Sequence, residues 1–345
     1  MKGRKILAIF LVVFTIMLIS FSFYTYQMVN TPNVLIDQED RVFIVPEGST
    51  FGDVQARLYE GNYVNEAVSF GVLAKLMNYD KSVKPGRYLL KRGMSNLDAL
   101  RLLRSGQQEP LNITFNNVRL KEELAEKICT NVAADADQFL ALLNDSAVVN
   151  EYGLTTETIL CMFIPNTYEV FWTITERELM DRMHQEYKRF WNDERRAKAD
   201  ALGMTLTEVS ILASVVQAEQ LGHPDERPKV AGLYLNRLER NIALQADPTL
   251  VYALGDFSIK RVLEGDKEID SPYNTYLYAG LPPGPINLPE ISSIDAVLNY
   301  EDHDYLYMCA KEDFSGYHNF AASLQEHLNN ARKYQRALNQ AKVYR

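Results

Sequence analysis

From residue 6 to residue 24 the chain carries no charged side chain and is almost wholly apolar. At about 1.5 Å rise per residue, a helix over this run is roughly 28 Å long, the hydrocarbon thickness of a bilayer. No second run of comparable length follows, so the remainder reads as a body on a single membrane tether. Lys2, Arg4 and Lys5 precede the run, and the positive-inside bias holds them on the cytoplasmic side. Tyr24 and Tyr26 fall where an interfacial aromatic belt lies. The bulk beyond residue 30 is then expected on the outer side of the membrane. A cleaved signal peptide is the competing reading. It calls for a shorter apolar core and a small-residue cleavage site, and neither is present.

Length allows about two domains, at a soft prior of ~150 residues each. A formal net charge of −9 argues against a nucleic-acid partner held by phosphate contacts. The three cysteines, Cys129, Cys161 and Cys309, are too far apart for zinc spacing or a disulfide framework. Histidines occur singly, and no P-loop, Rossmann fingerprint, H-E-x-x-H or G-x-S-x-G elbow appears. No metal or organic cofactor is therefore expected.

After a short connector, residues 41–45 alternate as a strand. Residues 46–51 read as a turn leading into a helix, with Ser49 or Thr50 as cap and Val54 and Leu58 on one face, 66–77 as a second helix, and 84–90 as a turn and strand. Residues 94–104 read as a helix capped by Ser95 and closed by Gly106, and 111–118 as a strand. The strand–helix–helix–strand order resembles LysM glycan-binding modules, against the alternative of a plain spacer. From residue 120 the pattern is helical: 121–130, 134–145, then a long charged helix over 176–201, another over 226–240, and a closing helix over 321–344. Residues 163–172 read as an aromatic turn, 245–249 as a polar turn, and 305–310 as a strand.

The helix over 205–219 carries the strongest chemical signal. Thr205 and Glu208 have capping-box spacing, and Met204 and Val209 are placed as a hydrophobic staple. Leu212, Val215, Val216 and Glu219 share one face, and Gly222 and Pro224 follow as stop signals. A carboxyl closing an apolar stripe is poorly solvated, which raises its pKa and suits a general acid. The plain alternative is a glutamate that reaches solvent at a helix end. Downstream come Asn236, Arg237, Gln245, Asp247, Tyr273, Asn274, Tyr276 and His318. Rings mixed with neutral hydrogen-bonding groups suit sugars, which have apolar faces and hydroxyl edges. Each has a structural alternative: Tyr276 in the core, Asp247 forming a turn before Pro248, Arg237 in a surface ion pair, His318 as a satisfied imidazole.

The segments Ile211-Leu-Ala-Ser-Val-Val-Gln-Ala-Glu219, Lys229-Val-Ala, Leu235-Asn-Arg-Leu238, Leu244-Gln-Ala-Asp-Pro-Thr249, Tyr273-Asn-Thr-Tyr276 and Gly280-Leu-Pro-Pro-Gly-Pro-Ile286 stand in one order along the chain. Together they resemble the endolytic murein transglycosylase family (MltG/YceG-like). Two departures are visible. Gln217 stands where the family often has a second glutamate, and Leu160-Cys161 and Asn166 differ around the Pro165–Tyr168 turn. The resemblance implies an α+β protein: a cytoplasmic tip and transmembrane anchor over 1–30, a LysM-like subdomain over 31–118, and a mainly helical catalytic domain over 119–345. It implies Glu219 as catalytic acid and base, cutting peptidoglycan glycan strands within the chain to leave 1,6-anhydro-N-acetylmuramyl ends. Arg237 is then a candidate to meet anionic stem peptides, and peptidoglycan synthases are candidate partners. A tethered, inactive peptidoglycan-binding scaffold and a hydrolytic muramidase with Asp247 as second carboxylate remain the competing readings.

Overall fold

The computed structural model describes residues 2–36, 38–259 and 261–341. Helix α1 (Lys2–Asn30) is continuous, and its apolar residues are exposed along its length. Within it, residues 3–30 are long and apolar enough to cross a membrane.

The chain divides into two compact units, one built mainly from residues 1–113 and the other from 114–130, 135–168 and 176–345. In the first, β1 (Pro32–Val34) and β2 (Arg41–Val45) lead into α2 (Phe51–Glu60) and α3 (Ala67–Leu76). Next come β3 (Gly86–Leu90), β4 (Met94–Ser95) and α4 (Asn96–Ser105). β2 and β3 are antiparallel, with Phe43 opposite Tyr88. Alternation on these strands sends Phe43, Val45, Tyr88 and Leu90 into one core with Val54, Leu58, Phe70 and Leu100. Thr50 caps α2 with a full capping box to Asp53, and Ser95 caps α4. Gly106 closes α4 in the left-handed region, where glycine carries no Cβ penalty.

β5 (Leu111–Phe115) leads into the second unit, where α5 (Lys121–Cys129), α6 (Ala136–Asn144) and α7 (Ser146–Glu151) follow. Residues 163–172, expected as a turn, contain the strand β6 (Asn166–Val170). Its alternation buries Tyr168, which stacks on Phe115 at 5.5 Å. The single long helix expected over 176–201 is two: α8 (Glu176–Phe190) and α9 (Asp193–Ala201). The Asn192 side chain accepts from the Arg195 amide and starts α9 afresh, and Trp191 is buried at the break.

At the centre lies α10 (Leu206–Glu219), packed by α9, by α11 (Arg227–Glu239), by α12 (Asp247–Leu254) and by α13 (Ile291–Leu298). Thr205 and Glu208 form the capping box, with Thr205 N–H donating to Glu208 at 2.8 Å. Met204 and Val209 share the surrounding core cluster. The apolar stripe read from the sequence is only part of this helix. Every residue from Val209 to Gln217 is buried, so α10 is enclosed on all sides. Its serines stay satisfied by bonding backward, Ser210 to the Leu206 carbonyl and Ser214 to that of Ile211. The helix stops at Glu219 with Gln220 as its cap, ahead of Gly222, and Pro224 opens a single 3-10 turn.

The polar turn expected at 245–249 is the start of α12, with Pro248 in its first turn, where a missing N–H costs nothing. Strands β7 (Tyr307–Ala310) and β8 (His318–Ala321) form an antiparallel hairpin, and α14 (Leu324–Gln340) closes the described chain. The expected continuation to Tyr344 lies outside the described residues.

Candidate active site

Glu219 ends the enclosed helix. Part of its side chain meets solvent, but Oε2 is sealed and has no hydrogen-bond partner. Burial drives its pKa up to about 7, opposed by His318 and reinforced by Asp247. The Tyr234 hydroxyl and the charge of Arg237 oppose the rise more weakly. At neutral pH this carboxyl is divided between its acid and base forms, as proton transfer in both directions requires.

A cavity of about 750 Å³ opens on the chain neighbours of Glu219, Ala218 and Leu221. Ala218, Leu221, Asp247, Tyr252, Arg119 and Asn287 are among its walls. Glu219 is flanked by this lining through Ala218 in sequence and Asp247 in electrostatic reach. Asn287 is held by its amide nitrogen to the Ser214 carbonyl at 2.8 Å, which fixes the 281–287 loop on α10. Gly284 lies where a Cβ would collide with the Glu157 carbonyl, so this loop needs glycine to pack.

Asp247 sits in the first turn of α12, exposed, and the Tyr276 hydroxyl donates to its Oδ1 at 2.5 Å. Burial first, then Asp247, push the Tyr276 pKa upward, so the phenol stays a donor. Gln245 is exposed in a left-handed conformation (φ 51°), and its side-chain oxygen accepts from Arg237 at 3.3 Å. Glu219, Asp247, Tyr276, Gln245 and His318 thus come from four separate segments to one region of the second unit.

The other expected site residues do structural work. Arg237 is only 7% exposed and donates to the carbonyls of Leu306, Ala243 and Leu244 at 2.6, 2.9 and 3.0 Å. A guanidinium spent on three buried carbonyls is not a surface site for stem-peptide carboxylates, and that expectation gives way to a charge fixed behind Glu219. Asn236 donates to the carbonyls of His303 and Tyr305. Asn274 is fully buried, donates to the Lys267 and Ile269 carbonyls, and accepts from the Tyr276 amide. Tyr273 packs on Tyr252 with ring centroids 4.7 Å apart.

Four residues carry no signal in the sequence pattern. Tyr234, 2% exposed on α11, opposes the rise of the Glu219 pKa. Glu226, 8% exposed, accepts from the His318 amide at 2.9 Å and pairs with His318 Nδ1 at 2.7 Å. Gln220, the residue after Glu219, donates to Glu226 at 2.5 Å and to the Gly316 carbonyl. Burial pushes the Glu226 pKa up, but the bonds from His318 and Gln220 outweigh it and hold the carboxyl below its ordinary value. Arg227, 2% exposed, donates to the Gln220 carbonyl at 3.0 Å and to Glu290, Ser292 and Ser293, tying the end of α10 to the start of α13. Among the described residues no group of three or more His, Cys, Asp or Glu side chains could hold a metal ion.

A family model described as YceG-like matches residues 43–333 of this chain. The chain is 26% identical over 339 residues to a protein of Streptococcus pneumoniae D39 named endolytic murein transglycosylase, covering 89% of this chain and 61% of the relative. It therefore spans about three-fifths of the length of that pneumococcal relative. A protein of the same name from Bacillus subtilis is 29% identical over 310 residues, covering 84% and 83%. A crystal structure of a yceG-like protein from Listeria monocytogenes matches with TM-score 0.55 and 25% identity, covering 84% of this chain and 98% of that one.

Proposed function

The chain belongs to the YceG-like family, and from that premise we propose that it is a membrane-anchored endolytic lytic transglycosylase acting on peptidoglycan. The observation that carries the reading is the Glu219 carboxyl: buried at Oε2, partnerless there, poised near neutral pH and next in sequence to Ala218 of the cavity wall. The names of the curated relatives support the same reaction class.

In this reading Glu219 is catalytic in both directions. Protonated, it gives its proton to the glycosidic oxygen leaving C1 of N-acetylmuramic acid, in the β-1,4 bond to N-acetylglucosamine. The C1–O bond breaks and positive charge develops on the ring. The same sugar's 6-hydroxyl oxygen then bonds to C1, and its proton passes to Glu219, which is restored. The product ends in 1,6-anhydro-N-acetylmuramic acid. An internal nucleophile has a high effective concentration, so no second residue is needed to activate water.

Asp247, oriented by the Tyr276 hydroxyl, supplies negative charge toward the positive ring. Gln245 and His318 are assigned to the sugar-facing side, and Tyr273 to packing on Tyr252 behind it. Asn236, Asn274 and Arg237 are assigned to holding the loops that present them. The working architecture is an anchor over 1–30, a LysM-like glycan-binding unit over 31–118 and a catalytic unit over 119–345. The β2–α2–α3–β3 order with antiparallel end strands supports the LysM-like part. The anchor directs the body to the outer face, where nascent glycan strands and the synthases that make them are found.

A hydrolytic muramidase is the second reading, because Asp247 is a second carboxylate within electrostatic reach of Glu219. Purified full-length protein incubated with uncrosslinked glycan strands decides between them. Anhydro-ended fragments support the transglycosylase, reducing ends select the hydrolase, and no cleavage beside an active control enzyme selects the inactive scaffold.

A further inference from the structure

Helix α3 is apolar on both sides, yet only one side is covered. Phe70, Leu73 and Ala74 pack into the core of the first unit. On the opposite side Val68, Val72 and Leu76 are 69%, 45% and 69% exposed. Spaced four residues apart on a helix, they form one continuous stripe, flanked by exposed Lys75. A helix apolar all round belongs in a core or in lipid, and a contiguous exposed patch marks a contact surface.

What lies beside the stripe identifies its occupant. α3 and α4 both pack against α1. The contact is at the outer end of α1, where Tyr24, Gln27 and Met28 line one small cavity with Glu66 and Ser69 from the start of α3. A buried polar clamp fixes it. Asn96, 1% exposed, donates to the Met28 carbonyl at 2.9 Å and to Ser69 at 3.1 Å, and receives a bond from Asn33 at 2.7 Å. The span's apolar run ends at Tyr24. α3 is therefore held at the level where hydrocarbon gives way to headgroups.

We propose that Val68, Val72 and Leu76 dock the first unit onto the outer leaflet of the membrane that α1 crosses, with α3 lying in the interface. This rests on α1 spanning the bilayer. Exposed apolar side chains enter the acyl boundary while Lys75 reaches lipid phosphate, the arrangement of an interfacial helix. Two attachments, one spanning and one interfacial, fix the tilt of the unit on the surface.

The test uses the unsubstituted full-length protein in vesicles of phosphatidylethanolamine and phosphatidylglycerol containing a photoactivatable acyl-chain diazirine phospholipid, with adducts mapped by mass spectrometry. The expected result is adducts on residues 6–24 and also on Val68, Val72 and Leu76, with none on exposed Ala197 of the second unit. In Leu76→Asp the α3 adducts fall severalfold while those on α1 are unchanged. Labelling of α1 without α3 overturns the docking and leaves the anchor standing. Absence of adducts on α1 as well overturns both. Protein–protein crosslinks through the stripe in place of lipid adducts assign the face to a second copy and also overturn the proposal.

Discussion

Glu219 closes α10 and Glu226 opens the way into α11, and the two buried carboxyls have opposite environments. Glu226 is surrounded by donors: the His318 ring and amide and the Gln220 amide reach both its oxygens. Glu219 has one oxygen sealed with no donor at all. Burial pushes both pKa values up, and only the donors around Glu226 reverse the direction. Burial alone therefore does not make an acid catalyst. Burial with one oxygen left without a donor does.

The comparison breaks first at Glu219→Gln. This variant should fold normally and lose about 10³-fold or more in strand cleavage, since general acid–base contributions run to ~10²–10⁴. Cleavage retained within tenfold of wild type would assign the acid to another residue. Glu226→Ala should act the other way, on stability. Removing one partner of a buried, hydrogen-bonded pair costs about 3 kcal/mol, read by urea unfolding at pH 7, while a change below ~1 kcal/mol would show Glu226 to be dispensable.

The raised pKa gives a signed pH effect of similar size. A carboxyl that titrates near 4.5 unfolded and about 7 folded favours the native state fully below the lower value, and that support is lost as pH rises through 7. Glu219→Gln should thus gain stability over wild type from pH 5 to pH 8.5, by up to ~3 kcal/mol, and cleavage by wild type should fall about tenfold per pH unit above 7. Equal stability differences at both pH values would mean an ordinary carboxyl. The smallest effect is expected for Tyr276→Phe. Loss of one hydrogen bond to Asp247 is worth about 1 kcal/mol, so kcat should drop no more than about tenfold with the fold intact. A drop as large as that of Glu219→Gln would move Tyr276 from positioning into the chemistry.

Much of the scaffold was legible because it is written locally. The apolar run, the Thr205–Glu208 capping box and the Ser95 cap each act within a few residues. The break at Asn192 was missed because one capping side chain outweighed a continuous charged pattern. α12 and α13, eight residues each, were too short for periodicity to separate from loop. At the site, Glu219 was visible through its stripe. Its counterpart Glu226 was not, because its partner His318 stands 92 residues away. Asn236, Asn274 and Arg237 drew notice as polar groups near rings. Their actual partners are backbone carbonyls, some close in sequence and some distant, that no side-chain pattern announces.

One measurement bears on the central claim most directly: mass spectrometry of the products formed from uncrosslinked glycan strands by full-length wild type and by Glu219→Gln, side by side. Wild type should yield internal fragments one water lighter than hydrolytic products, ending in anhydro-muramic acid, and the variant none. Reducing ends from wild type, or anhydro ends from both proteins, would contradict that claim.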